Sequence, residues 1–359
     1  MILTRRGFGM AGATLAGLSL LRPGTLFGAS TAAPPAVIDP MDLVDPELKP
    51  ILKAWLEQSP RLVWSEMTLR DIRRRSASSI RPPLAQPAFF ERMIPGAEGA
   101  PDVPIVVIGV AADTPPRPAV LHIHGGGYIT GSVAEGMVPL QLLSATHGCV
   151  VVSVDYRLAP ETRFPGSLED NYAALRWLHA NAKELGVDRS RLALLGESAG
   201  GGHVAALAIA ARDRAEVPIA MQVMIYPMLD DRTGSTRAVP PHLGAFVWDA
   251  AANRFGWSSL LGVAAGCDSV PHGAVPARVK NLRGLPPAFI GTGSIDLFVE
   301  EDIAYAQRLI QAGVPTELFI APGGYHGFDI IVPEASISKR FKAAWNDALH
   351  RGLNTNDLS

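Results

Sequence analysis

Three consecutive pieces of sequence decide the fold: Arg191-Leu-Ala-Leu-Leu195, then Gly196-Glu197-Ser198-Ala199-Gly200, then the Ala-, Leu- and Ile-rich stretch from Gly201 to Arg212. The first is a short apolar run bounded by glycine, which reads as a buried strand. The third reads as a helix. Between them the spacing G-x-S-x-G puts small residues on both sides of one serine, which lets strand and helix approach closely around a sharp turn. Such a turn leaves the Ser198 hydroxyl exposed at the positive end of a helix dipole. A chain with 35 glycines matches this pattern by chance often enough that a second signal is needed.

That signal lies upstream. Pro118-Ala-Val-Leu-His-Ile-His124 reads as another buried strand and runs directly into Gly125-Gly126-Gly127-Tyr128. Glycine allows backbone conformations at a strand end that a Cβ forbids, so several N–H groups can turn toward one point. In acyl transfer the carbonyl oxygen gains negative charge, and fixed donors aimed at it lower the barrier by about 3 kcal/mol each.

A serine hydroxyl needs a base to take its proton, and the base needs a carboxylate to hold its tautomer. Pro287-Ala-Phe-Ile-Gly291 ends in Thr-Gly-Ser-Ile-Asp296, and Thr316-Glu-Leu-Phe-Ile320 ends in Ala-Pro-Gly-Gly-Tyr-His326-Gly. Asp296 and His326 thus each follow a strand, where sites in open α/β sheets collect. Ser198 is assigned as nucleophile, His326 as general acid and base, and Asp296 as its orienter. The other histidines fit worse. His147, His179 and His203 fall in helical stretches, His350 is near the terminus, and His242 and His272 lie in a Pro-rich excursion. His122 reads as a strand residue, and His124 as a brace for the glycine loop. Glu300, Glu301 and Asp302 open a helix, whose N-terminus favours acidic side chains.

The chain resembles the hormone-sensitive-lipase-like esterases of the α/β-hydrolase superfamily. The likeness rests on His124-Gly-Gly-Gly-Tyr128, Asp155-Tyr-Arg-Leu-Ala-Pro-Glu161, Gly196-Glu-Ser-Ala-Gly-Gly201 and the pair Asp296-Leu297 with His326-Gly-Phe328, and it extends over most of residues 41–350. It implies a carboxylic-ester hydrolase in which the N–H groups of Gly125, Gly126 and Ala199 hold the oxyanion. Two positions depart from the usual pattern: Glu197 stands where many relatives have Asp or Thr, and Leu297 where relatives often have proline. The Tyr156–Glu161 segment reads as structural support for the glycine turn. The elbow alone does not separate an esterase from an amidase, lactonase or acyltransferase, and a non-catalytic ligand-binding receptor on this fold is a further alternative. The triad histidine is what such receptors lack, and it is present here.

Strand-like runs recur near 103–110, 118–123, 149–154, 192–196, 219–226, 287–291 and 316–320, with helical stretches near 137–146, 167–185, 200–212, 300–312 and 336–350. The alternation predicts a mostly parallel doubly wound sheet flanked by helices, in which the first strands can run antiparallel. Two segments, about 41–75 and 230–279, break the alternation, and the resemblance makes them a helical cap over the serine. Trp64, Phe246, Trp248, Phe255 and Trp257 in these segments read as cap core rather than ligand wall. A pocket under short helices suits short- to medium-chain esters.

Residues 1–32 are read apart from the 33–359 hydrolase domain. Thr4-Arg5-Arg6-Gly7-Phe8, an apolar run from Ala11 to Leu21 and small residues from Gly28 to Ala33 follow the order of a twin-arginine export signal. The run is too short to span a bilayer. Export by the twin-arginine machinery to a bacterial periplasm is therefore expected. The chain's net charge is −2, and removal of residues 1–32, which carry three arginines and no acid, leaves −5. A mildly acidic protein has no electrostatic reason to bind nucleic acid. Arg70 to Arg75, interrupted by Asp71 and Ile72, reads as a solvated helix face. Two cysteines, Cys149 and Cys267, are too few for a disulfide framework, and neither metal nor cofactor is expected. Monomer and homodimer remain open.

Overall fold

The apolar runs become the inner strands of one eight-stranded sheet in a computed structural model that describes residues 38–59, 62–78, 80–111 and 115–354. In chain order the elements are α1 (Pro40–Leu43), α2 (Lys49–Gln58), α3 (Glu66–Ala77), β1 (Phe89–Ile94), β2 (Val103–Ile108), β3 (Arg117–Ile123), α4 (Met137–His147), β4 (Val150–Val154) and α5 (Gly166–Ala180). They continue with β5 (Val187–Glu197), α6 (Ala199–Arg214), β6 (Met221–Ile225), α7 (Ala250–Leu261), β7 (Ala288–Gly293), α8 (Val299–Gln311), β8 (Thr316–Ala321), α9 (Phe328–Ile331) and α10 (Ser336–Leu353). The sheet order is β1-β2-β4-β3-β5-β6-β7-β8. β2 runs antiparallel to both β1 and β4, and every other pairing is parallel.

A parallel sheet covered on both faces needs strands that are apolar throughout. β4 (Val-Val-Val-Ser-Val) and β6 (Met-Gln-Val-Met-Ile) are buried at every position. One face packs against α5 and α6 through Leu175, Leu178, Val204 and Leu207. The other packs against α4 and α10 through Leu140, Leu143, Phe341 and Leu349, and also receives Leu48 and Leu52. A third cluster unites Leu69 of α3 and Trp257, Leu260 and Leu261 of α7 with Tyr128, Ala199, Trp248, Leu297 and Phe298. The helical additions from 62–78 and 230–279 therefore share a core with the ends of the strands that carry the site.

Three boundaries differ from expectation. β1 (Phe-Phe-Glu-Arg-Met-Ile) was not expected, because five of its six residues are exposed and no apolar run marks it. β5 begins at Val187 rather than near 192, its start masked by the polar Asp188-Arg189-Ser190-Arg191. α5 ends at Ala180 rather than near 185, where Asn181 turns back so that its N–H and side-chain amide both donate to Trp177 O. The twin-arginine segment lies outside the described residues. Among the described residues no helix is long and apolar enough to cross a membrane.

Candidate active site

Ser198 joins β5 directly to α6, and its backbone adopts φ +55 and ψ −120, a strained conformation for a residue with a Cβ. Hydrogen bonds hold it there: Ser198 N donates to Ile225 O (2.8 Å), and Ser198 O accepts from Gly202 N and Met228 N (both 3.0 Å). Close approach explains the neighbouring glycine. A Cβ on Gly200 would collide with Ile123 O and His124 O at the end of β3. The sharp turn expected from the G-x-S-x-G spacing is thus built by sheet, helix and strand end together.

The loops after β7 and β8 deliver the other two side chains. His326 Nε2 is 3.0 Å from Ser198 Oγ, and His326 Nδ1 is 2.9 Å from Asp296 Oδ2. Asp296 is fully buried, its Oδ1 accepting from Phe298 N at 3.0 Å. An Nδ1–H donated to the carboxylate leaves the Nε2 lone pair facing the serine hydroxyl, the arrangement that proton removal requires. Ser198 and His326 are 8% and 7% exposed, so the chain of bonds is screened yet open at one end.

The glycine segment lies beside this chain. Gly125 is near enough to the elbow that a Cβ there would sit 2.9 Å from Glu197 O and 3.4 Å from Ser198 Cβ. Among the described residues no acceptor takes the N–H of Gly125, Gly126 or Ala199. Three unengaged donors, one of them at the first turn of α6, are what a developing oxyanion needs. His124 braces the loop as expected: its Nδ1 bonds Gly125 O at 2.8 Å and its ring stacks on Tyr156 at 4.2 Å. Tyr156 OH donates to His124 O at 3.0 Å, which gives the Tyr156–Glu161 segment its supporting role. Burial pushes His124 down to about 4 and His203 down to about 3, so both imidazoles beneath the loop are neutral near pH 7.

Several residues around the site carry no sequence signal. Tyr226 and Phe298 meet the His326 imidazole edge to face at 4.8 Å and 5.2 Å, and Tyr226 OH donates to Asp329 at 3.1 Å. Phe298 stands two residues after Asp296, and Tyr226 directly follows β6, outside every motif. Two expectations are corrected. Arg70, Arg74 and Arg75 are exposed, but Arg73 turns inward, donating to Ile129 O (2.7 Å) and Ala159 O (2.8 Å) and pairing with Glu161. Of the three acids that open α8, only Glu300 is exposed. Glu301 is buried and accepts from Leu229 N (2.6 Å), Asp230 N (3.1 Å) and Thr233 Oγ1, and burial raises it and Asp302 above the carboxylate range. Among the described residues no group of three or more His, Cys, Asp and Glu side chains is placed to hold a metal ion.

A family profile described as alpha/beta hydrolase fold matches residues 120–330, which takes in the glycine loop, the elbow, Asp296 and His326. Carboxylesterase NlhH of Mycobacterium tuberculosis is 34% identical over 318 residues, 85% of this chain and 97% of the relative. The chain belongs to the hormone-sensitive-lipase-like esterase family of the α/β-hydrolase superfamily. Two solved members of this fold are similar throughout. A bacterial heroin esterase has a TM-score of 0.79 at 36% identity, covering 88% of this chain and 99% of its own. Esterase LipW from Mycobacterium marinum has a TM-score of 0.74 at 32% identity, covering 88% and 97%. As a member of this esterase family the protein is a serine carboxylesterase-like hydrolase.

Proposed function

We propose that Ser198, His326 and Asp296 are the catalytic triad of this hydrolase and that Gly125, Gly126 and Ala199 form its oxyanion hole. The observation that carries the reading is the unbroken chain from Asp296 through His326 to Ser198, at 2.9 and 3.0 Å. His326 takes the hydroxyl proton as Ser198 attacks the ester carbon, and Asp296 stabilises the imidazolium. The tetrahedral oxyanion accepts from the three N–H groups that have no partner among the described residues. Collapse releases the alcohol, protonated by His326, and water then repeats the cycle on the acyl-enzyme.

Short- to medium-chain esters are the proposed substrates. The near-complete burial of Ser198 and the packing of Tyr226 and Phe298 against His326 support a small acyl group. Purified protein should hydrolyse p-nitrophenyl acetate or butyrate, and Ser198→Ala should abolish turnover with an unchanged circular dichroism spectrum. Persistent activity in that variant would remove the nucleophile assignment. Activity that rises steadily beyond acyl chains of about ten carbons would remove the chain-length assignment. Export through the twin-arginine machinery is proposed on the order of residues 4–33 alone; Arg5→Lys with Arg6→Lys should strand the protein in the cytoplasm, and unaffected export would end that reading.

A further inference from the structure

Three alternate residues of the 230–279 segment, Gly244, Phe246 and Trp248, between them touch all three loops that carry the reacting groups. Gly244 N donates to Ile295 O at 3.1 Å, one residue before Asp296, and a Cβ at Gly244 would lie 2.8 Å from Leu297, one residue after it. Phe246 meets the Tyr325 ring edge to face at 6.0 Å, next to His326. The six-membered ring of Trp248 lies against Gly127, so closely that a Cβ on this glycine would collide with it. Trp248 is itself pinned, by the edge of Trp64 at 5.3 Å and by an Nε1 bond to Asn253 Oδ1 at 3.4 Å. Alternate residues of the strap thus address the acid loop, the histidine loop and the oxyanion loop in turn.

At its crest the strap is strained. Val247 has φ +65, and Trp248 N donates back to Phe246 O at 2.8 Å, which makes a γ-turn of positive φ. This turn is rare, and a β-branched residue is the least suited to it. Core packing does not explain the choice, because Val247 is 38% exposed while Phe246 and Trp248 are 9% and 6% exposed. An exposed side chain held in a strained turn between two anchored aromatics points to function.

We propose that Val247 is a specificity-determining residue: the 244–248 strap holds its side chain at the approach to Ser198, where it limits the length of acyl chain that reaches the nucleophile. The assignment rests on Ser198 as the nucleophile of the proposed mechanism. Val247→Gly accepts the same turn and removes the side chain. Val247→Asn tolerates the turn and keeps comparable bulk. Across p-nitrophenyl esters, Val247→Gly should raise the octanoate-to-acetate ratio of kcat/KM about tenfold, and Val247→Asn should leave it within about twofold.

A second readout needs no turnover. In a Ser198→Ala background, tryptophan fluorescence titrations with methyl ketones of graded length should show the longest ketone gaining about tenfold in relative affinity on Val247→Gly. An unchanged binding ratio, or an equal loss for every ketone, overturns the assignment whatever the activity does. A shifted binding ratio without Ser198-dependent hydrolysis supports the strap and removes the nucleophile reading instead.

Discussion

Oε2 of Glu197 lies 3.1 Å from Nε2 of His122, which ties the residue before the proposed nucleophile Ser198 to the strand that delivers the glycine loop. Nδ1 of the same imidazole is 2.8 Å from Ser153 Oγ, directly opposite His122 in the β3–β4 register. One polar chain, buried at His122 and Ser153 and partly buried at Glu197, therefore crosses β5, β3 and β4 beneath the elbow. Glu197, the departure from the family's usual Asp or Thr, is long enough to make this link.

Removing the middle of that chain should affect both stability and turnover. His122→Ala leaves Ser153, which is fully buried, and Glu197 without their partner, and is expected to cost about 1–3 kcal/mol in urea unfolding. Loss of the tether lets the elbow shift, so kcat should fall roughly tenfold or more with KM little changed. Glu197→Gln still accepts from the imidazole and should retain most of both. Equal kcat in His122→Ala and wild type would show that the chain supports only the sheet.

Asp296→Asn tests the orienting role separately from the fold. The buried amide preserves volume and the acceptor for Phe298 N, but its other terminus cannot accept Nδ1–H as a carboxylate does, so the imidazole loses the tautomer in which Nε2 faces Ser198. A fall in kcat of about 10³- to 10⁴-fold is expected, with thermal unfolding close to wild type. A decrease below about tenfold would indicate that another acid orients His326.

The parts of the fold legible in sequence are those where burial leaves no choice of residue. β3, β4, β6 and β7 lie inside a sheet covered on both faces, so their sequences are mostly apolar runs; Asp296 follows β7 and Ser198 the apolar second half of β5, whereas His326 follows the partly exposed edge strand β8. β1 was not legible because an edge strand keeps its place by backbone pairing with β2 while its side chains face solvent. Arg73 was hidden for a different reason. It shares a helix with three exposed arginines, and only the tertiary position of Ile129 O and Glu161 distinguishes it. Tyr226, Phe298 and the 244–248 strap act through packing between distant segments, which local sequence does not encode.

Arg157 and Asp170 supply a test of the scaffold under the glycine loop. Asp170 is fully buried and accepts from Arg157 N (3.0 Å), Nε (2.8 Å) and Nη2 (2.6 Å). Arg157→Ala strands this carboxylate in the core and should lower the unfolding free energy by about 3 kcal/mol. Arg157→Lys, which cannot reproduce the two-pronged contact, should recover only part of the loss. Full recovery by lysine in guanidinium melts would show that charge alone, and not fork geometry, holds the loop.

Glu301 makes stability depend on pH in a direction opposite to that of the buried histidines. Burial is the main cause that pushes its carboxyl up to about 8, against the lowering effect of the Thr233 hydroxyl. The unfolded chain loses this proton near pH 4.5, whereas the native protein keeps it to about pH 8, so in that window the native state binds more protons and stability falls as pH rises. Below the window both states are protonated and the contribution is constant; above it both are ionised and the loss is complete. His124 and His203, whose imidazoles burial holds neutral, act oppositely: below about pH 6.5 the unfolded chain gains the protons, and stability falls as pH falls. Comparing Glu301→Gln with wild type at each pH cancels the histidines. Glutamine keeps the acceptor for Leu229 N and Asp230 N and turns its amide N–H toward Thr233, so the site stays bonded without a titrating group. The unfolding free energy of Glu301→Gln relative to wild type should therefore rise between pH 5 and pH 8, by at most about 1.4 kcal/mol per pH unit. Urea melts at pH 5, 6.5 and 8 measure it, and a difference that stays constant over this range would mean that Glu301 is already ionised in the folded protein at pH 5.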